Sequence, residues 1–304
     1  MESTFKQVAL LWLDAKRKTV KHSTYCTYLL TVNVHLLPRF GAQKSVKEAD
    51  VQQFAFDQLT SGHARKTVRD TVAVLKQIVK FGSKRNLFPY DVWEVVYPTE
   101  TSDRRIPMLT LPQQRTLMVY LLEHVSPRSI GVLLALQTGM RIGEVCALKW
   151  DDVDFGQRII NICRTSGSVY NIERRAVENL ESVPKTRNSY REIPISAPLY
   201  RALRQVRKQT GSTYVTGGMT HPVSTRNYRD YYNRLMKRLG LPHVVFHGLR
   251  HTFASRCIES RCDVKTVSAL LGHSNVATTL NLYVHPTLGQ KKRAVEQMNK
   301  MLKI

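Results

Sequence analysis

Along the first hundred residues, apolar positions recur at the three- and four-residue spacing that gathers them on one side of a helix. Phe5, Val8, Ala9 and Trp12 form one such set. Val51, Phe54 and Phe56 to Leu59 form another, behind Glu48 and Asp50, whose acidity suits a helix N-terminus. Leu36 to Gly41 contains Pro38 and Gly41 and predicts a break between helices. Ala64 to Phe81 carries Val68, Val72, Leu75 and Val79 on one side. At about 100° per residue, Arg65, Arg69, Lys76 and Lys80 fall within roughly 60° of one another on a different side. The pattern lapses from Tyr97 to Met108, where Pro98 and Pro107 flank a polar run. A domain of residues 1–98 is therefore expected, then a linker of 99–107 and a second domain of 108–304.

The second domain opens on Thr110 and Gln113, a capping-box pair that starts a helix running to His124. Another helix is predicted from Pro127 to Gln137, ended by Gly139. Alternating β-branched residues predict a strand from Arg158 to Arg164 and a second from Glu192 to Ile195. Helices are predicted at Pro198–Lys208, Ser224–Leu239, Gly248–Glu259, Val264–Leu271 and Val276–Tyr283, with a tail helix at 290–304 bearing Val295, Met298 and Leu302 on one face. The fold class is mostly α: a helical N-terminal domain, then a mainly α domain with a small antiparallel β-sheet.

Charge narrows the function. Among 304 residues, 46 Lys and Arg face 23 Asp and Glu, a formal charge of +23 that normally seeks a polyanion. Residues 1–100 hold 15 basic and 9 acidic residues, leaving 31 and 14 for the rest, so both domains are basic. The stripe of Arg65, Arg69, Lys76 and Lys80 is thus a candidate for tracking a DNA backbone rather than a merely solvated face. No apolar run approaches the roughly 18 residues of a membrane span, and no secretion signal opens the chain, so it is expected to stay in the cytoplasm, off membranes. The five cysteines, Cys26, Cys146, Cys163, Cys257 and Cys262, never form a CxxC pair. They are expected to be small core residues rather than a disulfide framework or a zinc site.

Four clusters in the second domain could carry chemistry. In TGMRIGEVCALKW, Arg141 sits in a tight turn before a helix, where an arginine can grip a phosphate, and Glu144 can orient it. In VPKTRNSYREIPI, Lys185 heads a hairpin leading into the second strand. In FHGLRHTFASRCIES, His247 and Arg250 lie three apart on one helix face, ahead of the packing residues Phe253 and Ala254. In LLGHSNVATTLNLYVH, Gly272 stops a helix, His273 follows it, and Tyr283 comes ten residues later. Singly, each has a structural explanation. Jointly they are the set that phosphoryl transfer to a tyrosine hydroxyl would use without a metal or other cofactor. Arginines neutralise the non-bridging oxygens, an imidazole helps remove the phenolic proton, and a lysine protonates the departing sugar oxygen. Asp151, Asp152 and Asp154 lie in a turn and are better explained by turn chemistry than as a metal nuclease centre.

TGMRIGE, KTRNSYR, HGLRH and LGHSNVATTLNLYVH, in this order, resemble the signature boxes of the tyrosine recombinase (phage integrase) family across about residues 110–285. SRCIESRCDVKTVSALLGHSNV is most similar to integrases of prophages and conjugative transposons of Gram-positive bacteria. The resemblance implies phosphate-gripping roles for Arg141 and Arg250, general-acid duty for Lys185, catalytic or phosphate-binding roles for His247 and His273, and Tyr283 as nucleophile. It also implies a core-binding role for the helical first domain, a 3′-phosphotyrosyl intermediate, and a homotetramer on double-stranded DNA linked by the tail helix. Accessory directionality or bending proteins are possible partners. Arg261 stands where relatives often have glycine. Many relatives carry an arm-binding domain before the helical one, so this chain is expected to be a short recombinase or a piece of a longer one. The alternatives are a dimer resolvase of the same family, a type IB topoisomerase, and a non-catalytic DNA-binding regulator.

Overall fold

The computed structural model describes residues 3–99, 107–183, 189–283 and 288–302, with only the backbone of 282–291, 293 and 294 where these fall within it, Lys292 excepted. The chain divides into two compact units, residues 1–103 with 169–178, and 104–168 with 179–304.

The first unit is built on α1 (Phe5–Thr19), α2 (His22–Thr31), α3 (Leu37–Phe40), α4 (Glu48–Thr60) and α5 (Arg65–Ser83). Thr4 caps α1 reciprocally with Gln7: the Thr4 amide donates to Gln7 Oε1 at 2.8 Å, and the Gln7 amide to Thr4 Oγ1 at 3.4 Å. The apolar stripes meet as their spacing requires. Phe5, Val8 and Trp12 of α1 pack with Phe40, Phe54, Leu75, Ile78 and Val79 in one core, where each buried side chain contributes about 1.5–3 kcal/mol. Gly82 lets α5 approach closely, since a Cβ there would meet Val8 Cγ1 at 2.7 Å.

The break expected at Leu36 to Gly41 is not where the chain turns. A π-helical turn, Val32–Leu36, joins α2 to α3, and helix continues to Phe40. Pro38 lies directly after the π turn and, lacking an N–H, makes no intrahelical donor bond there.

The second unit begins with α6 (Leu111–Glu123), capped by Thr110 and Gln113 as the sequence predicts. It continues with α7 (Ser129–Thr138) and α8 (Ile142–Ala147). Nine of the ten residues of α7 are buried, so it serves as the central rod of the core and shows no amphipathic stripe. Three strands follow in the spatial order β1 (Val153–Asp154), β2 (Ile159–Ile162), β5 (Arg191–Pro194), all antiparallel, with Ile160 opposite Ile193 and Ile162 opposite Arg191. Asp154 Oδ1 accepts the amides of Gly156 and Gln157, both at 2.8 Å, so this aspartate is spent on the turn. A separate hairpin, β3 (Thr165–Asn171) and β4 (Ala176–Ser182), whose residues 169–178 belong to the first unit, was not expected. Its strands are short of large apolar residues and largely exposed on both faces, so alternation is lacking.

The remaining helices are α9 (Ala197–Gln209), α10 (Thr225–Arg238), α11 (Phe246–Glu259), α12 (Val264–Leu271), α13 (Val276–Tyr283) and α14 (Leu288–Leu302). Arg261 adopts φ 66° in the turn after α11, the left-handed position that glycine fills without strain. Of the cysteines, Cys26 and Cys146 are buried as expected, Cys163 and Cys257 are half-buried, and Cys262 is exposed.

Candidate active site

Three helix ends converge at the candidate site. Gly139 closes α7 with φ 67° and Gly272 closes α12 with φ 65°, both in the left-handed region that lets a helix stop abruptly. A Cβ at Gly139 would lie 2.7 Å from both Leu271 Cδ2 and Phe253 Cδ1, so the position is fixed by space as well as by φ. The carbonyls at these ends attract cations. Arg250 of α11 donates from Nη1 to the Gly139 carbonyl at 2.9 Å and from Nη2 to the Leu271 carbonyl at 2.7 Å. Arg141, at the start of α8, reaches the next carbonyl, that of Gly272, at 3.5 Å. The two guanidiniums therefore sit on consecutive carbonyls.

Arg250 is only 2% exposed, which corrects the expectation of an open helix face packed solely by its far side. Its guanidinium is a structural bolt between α7 and α12 as well as a charge, so its removal strikes folding too. Arg141 is more open, with its side chain 37% exposed.

Glu144 orients Arg141 as the sequence predicts. Its Oε1 accepts Arg141 Nη1 at 2.8 Å, and its Oε2 accepts the Arg141 amide at 2.9 Å. A second arginine, which sequence reasoning missed, holds the same carboxylate: Arg191 of β5 donates from Nη1 to Oε1 at 3.1 Å and from Nη2 to Oε2 at 2.8 Å. Its Nε donates to the Leu270 carbonyl at 2.6 Å. Burial raises the Glu144 pKa, but the Arg191 hydrogen bonds and the charges of Arg191 and Arg141 outweigh it and hold the carboxyl below its ordinary value.

The imidazoles are kept neutral. His247, in the first turn of α11, is lowered by burial and then by Arg250 and Arg141, against a smaller opposing pull from Glu144. His273 is pushed down to about 4 by burial and by the same two arginines. Its Nδ1 lies 2.8 Å from Oγ1 of Thr279, a fully buried residue of α13. When the hydroxyl donates to Nδ1, the ring carries its proton on Nε2 and can donate it to an anion; in the other tautomer Nδ1 donates to the hydroxyl. His251, also pushed down to about 4 by burial and its neighbours, packs edge-on against His247 with ring centroids 4.8 Å apart.

Arg141, His247, Arg250 and His273 are thus brought together by the fold. Tyr283 is the last residue of α13, whose Thr279 steadies His273; its side chain lies outside the described residues, as does Lys185. Asp152, by contrast, is consumed structurally, accepting the Lys149 amide at 2.9 Å and pairing with Arg164 at 3.1 Å.

The basic stripe belongs to the first unit and is partly engaged. Lys76 Nζ donates to the Trp93 carbonyl at 2.7 Å, while Arg65 and Arg69 lie over the Tyr97 ring at 5.8 and 5.6 Å. Lys80 is exposed and shares a shallow cleft with Lys16, Lys84 and Arg85, a basic patch that only the fold reveals. No helix among the described residues is long and apolar enough to cross a membrane.

Residues 108–289 match the phage integrase family, and residues 4–55 match the phage integrase N-terminal SAM-like domain. The chain belongs to the phage integrase family, the tyrosine recombinases. Among its relatives is a XerC-like tyrosine recombinase of Caldanaerobacter subterraneus subsp. tengcongensis, 36% identical over 186 residues, 55% of this chain and 48% of that one. The chain thus spans about half the length of that relative. The transposase from transposon Tn916 of Enterococcus faecalis is 24% identical over 94% of this chain and 75% of its own. In fold, the chain is similar to the Tn1549 transposon integrase in complex with a circular intermediate DNA, with TM-score 0.80, 22% identity, and coverage of 98% of this chain and all of that one.

Proposed function

We propose that this recombinase cuts and rejoins DNA strands to integrate and excise a mobile element, with Arg141, Lys185, His247, Arg250, His273 and Tyr283 as its catalytic residues. Arg141, Arg250 and His273 grip the non-bridging oxygens of one backbone phosphate. The Tyr283 phenol oxygen bonds to phosphorus as the bond to the 5′ oxygen breaks, leaving a 3′-phosphotyrosyl link. The phenol, with an ordinary pKa of about 10, starts protonated. Neutral His247 accepts that proton, and Lys185 protonates the departing 5′ oxygen. Because the phosphotyrosyl bond conserves the energy of the broken one, the 5′ hydroxyl of a partner duplex reverses the step without a nucleotide cofactor.

The observation that supports this most directly is the pair of guanidiniums on the Leu271 and Gly272 carbonyls, next to imidazoles that stay neutral. Such a cage is charged for a phosphate and retains a base. Two duplexes exchange four strands, so four copies act together on DNA as a homotetramer. The exposed Val295, Met298 and Leu302 of α14 offer an apolar edge for a neighbouring copy. Likeness to the Tn916 transposase supports mobile-element work in the cytoplasm, where the chromosome lies.

The test is covalent capture. Wild-type and Tyr283→Phe protein are mixed with nicked duplexes from the DNA flanking the gene, stripped with SDS, and the attached DNA is sequenced. Attachment to wild type alone is expected. Equal attachment to both proteins, or DNA binding without attachment to either, overturns the assignment.

A further inference from the structure

His22 and Cys26 lie four residues apart on α2 and so face the same way. Cys26 Sγ is 3.5 Å from His22 Nε2. Glu178 Oε2, on β4 but within the first compact unit, lies 2.7 Å from the same nitrogen. All three donor atoms fall within 4.8 Å of one another. None of these residues takes part in the arginine and histidine site.

The cluster has the build of a metal centre. A zinc ion bonds sulfur at about 2.3 Å and nitrogen or oxygen at about 2.0–2.2 Å, so tetrahedral donors stand roughly 3.3–3.6 Å apart. The sulfur and nitrogen already have that spacing. The nitrogen and oxygen need to part by roughly half an ångström and the sulfur and oxygen, within 4.8 Å, to close to that spacing, movements that the half-exposed His22 ring permits.

The carboxylate is held in place by partners of its own. Glu178 Oε1 accepts Asn171 Nδ2 at 3.0 Å and Arg174 Nη1 at 3.1 Å, which turns Oε2 toward His22. Asn171 is itself buried and braced, its Oδ1 accepting the amides of Glu173 and Arg174 at 3.0 and 3.2 Å. Outer partners that orient a ligand are a regular part of metal sites. Cys26 forms the floor, 1% exposed, and His22 opens to solvent, leaving room for a water.

We propose that His22, Cys26 and Glu178 bind a divalent ion of the zinc class, with water as fourth ligand. Sulfur and imidazole donors disfavour magnesium and calcium, which take oxygen ligands. On binding, the Cys26 thiol loses its proton to solvent, the proton between His22 Nε2 and Glu178 Oε2 passes through solvent to His22 Nδ1, and that hydrogen bond is exchanged for two coordinate bonds. The ion then clips segment 169–178 to α2 across 156 residues of sequence. Cysteine spacing alone argues against zinc here because the second ligand is a histidine one helical turn away and the third comes from a distant strand.

The test uses the full chain stripped with EDTA and titrated with Co²⁺. Expected is one equivalent bound, with a thiolate-to-cobalt charge-transfer band and tetrahedral d–d bands, all displaced by Zn²⁺. Cys26→Ser should abolish the charge-transfer band. His22→Gln, at an exposed position that leaves the fold intact by circular dichroism, should weaken binding. Asn171→Ala should weaken it roughly tenfold or more. No charge-transfer band, or one that survives Cys26→Ser because Cys163, Cys257 or Cys262 supplies it, overturns the proposal.

Discussion

Arg191 grips both oxygens of Glu144, and the same carboxylate carries Arg141 on its other side. The three residues form a relay from strand β5 to the arginine and histidine site. Removing Arg191 leaves Glu144 buried with half its partners, which costs about 3–5 kcal/mol when a buried pair is broken. Arg191→Ala should lower the urea midpoint and depress covalent capture of DNA. Arg191→Lys, which cannot reproduce the two-pronged contact, should rescue stability only in part. An unchanged midpoint in both variants would count against the relay.

Arg250 ties α7 to α12, and on the proposed function it also grips the phosphate. Two hydrogen bonds from a buried charge make Arg250→Ala lose about 3 kcal/mol or more, besides cleavage. Arg250→Lys should recover one carbonyl contact and fold better than the alanine variant while still cleaving poorly. Denaturation midpoints paired with nicked-substrate cleavage rates separate the two effects.

The imidazoles set an acid limit. In the folded protein His251 and His273 titrate near 4, and His247 below its ordinary value, whereas the unfolded chain takes up those protons near 6.5. Below pH 6.5 the unfolded state binds more protons, so stability falls as pH drops, until the folded rings also protonate near 4. Glu144, depressed in the fold, adds a further loss at lower pH as it protonates. Urea midpoints measured from pH 7 to pH 4.5 should decline, and His251→Gln should flatten the slope.

Arg261 holds φ 66°, in the left-handed region that glycine adopts without strain. Arg261→Gly should relieve the strain and raise stability by up to about 1 kcal/mol. Thermal melting would detect this, with DNA cleavage unchanged.

Lys80 and Lys76 should part company on DNA. Lys80 is free to meet a phosphate, so Lys80→Ala should weaken binding on any sequence and reduce the slope of log K against log salt by about 0.9. Lys76, occupied by the Trp93 carbonyl, should change that slope less and cost stability instead. Equal slope changes would mean that Lys76 leaves its carbonyl on binding.

Much of this was legible because helix ends announce themselves locally. Gly139, Gly272, and Thr110 with Gln113 mark ends by conformational need, and the cationic residues cluster at those marks. Arg191 was not legible: it stands in a strand-like run beside Ile193, and its partner Glu144 lies 47 residues earlier. A charged residue facing inward from an apolar strand is the signal that could have found it. The π turn before Pro38 and the β3–β4 hairpin escaped for a related reason, since neither leaves a periodic trace. Thr279 was hidden as an ordinary helix residue until His273 folded against it.

The carbonyls that seat Arg250 belong to α7 and α12, and neither helix offers its carbonyl until it has stopped at its own glycine. A nascent or partly unfolded chain therefore has no place to assemble the cationic pair. On the proposed function, competence to nick DNA would arrive only with the finished core.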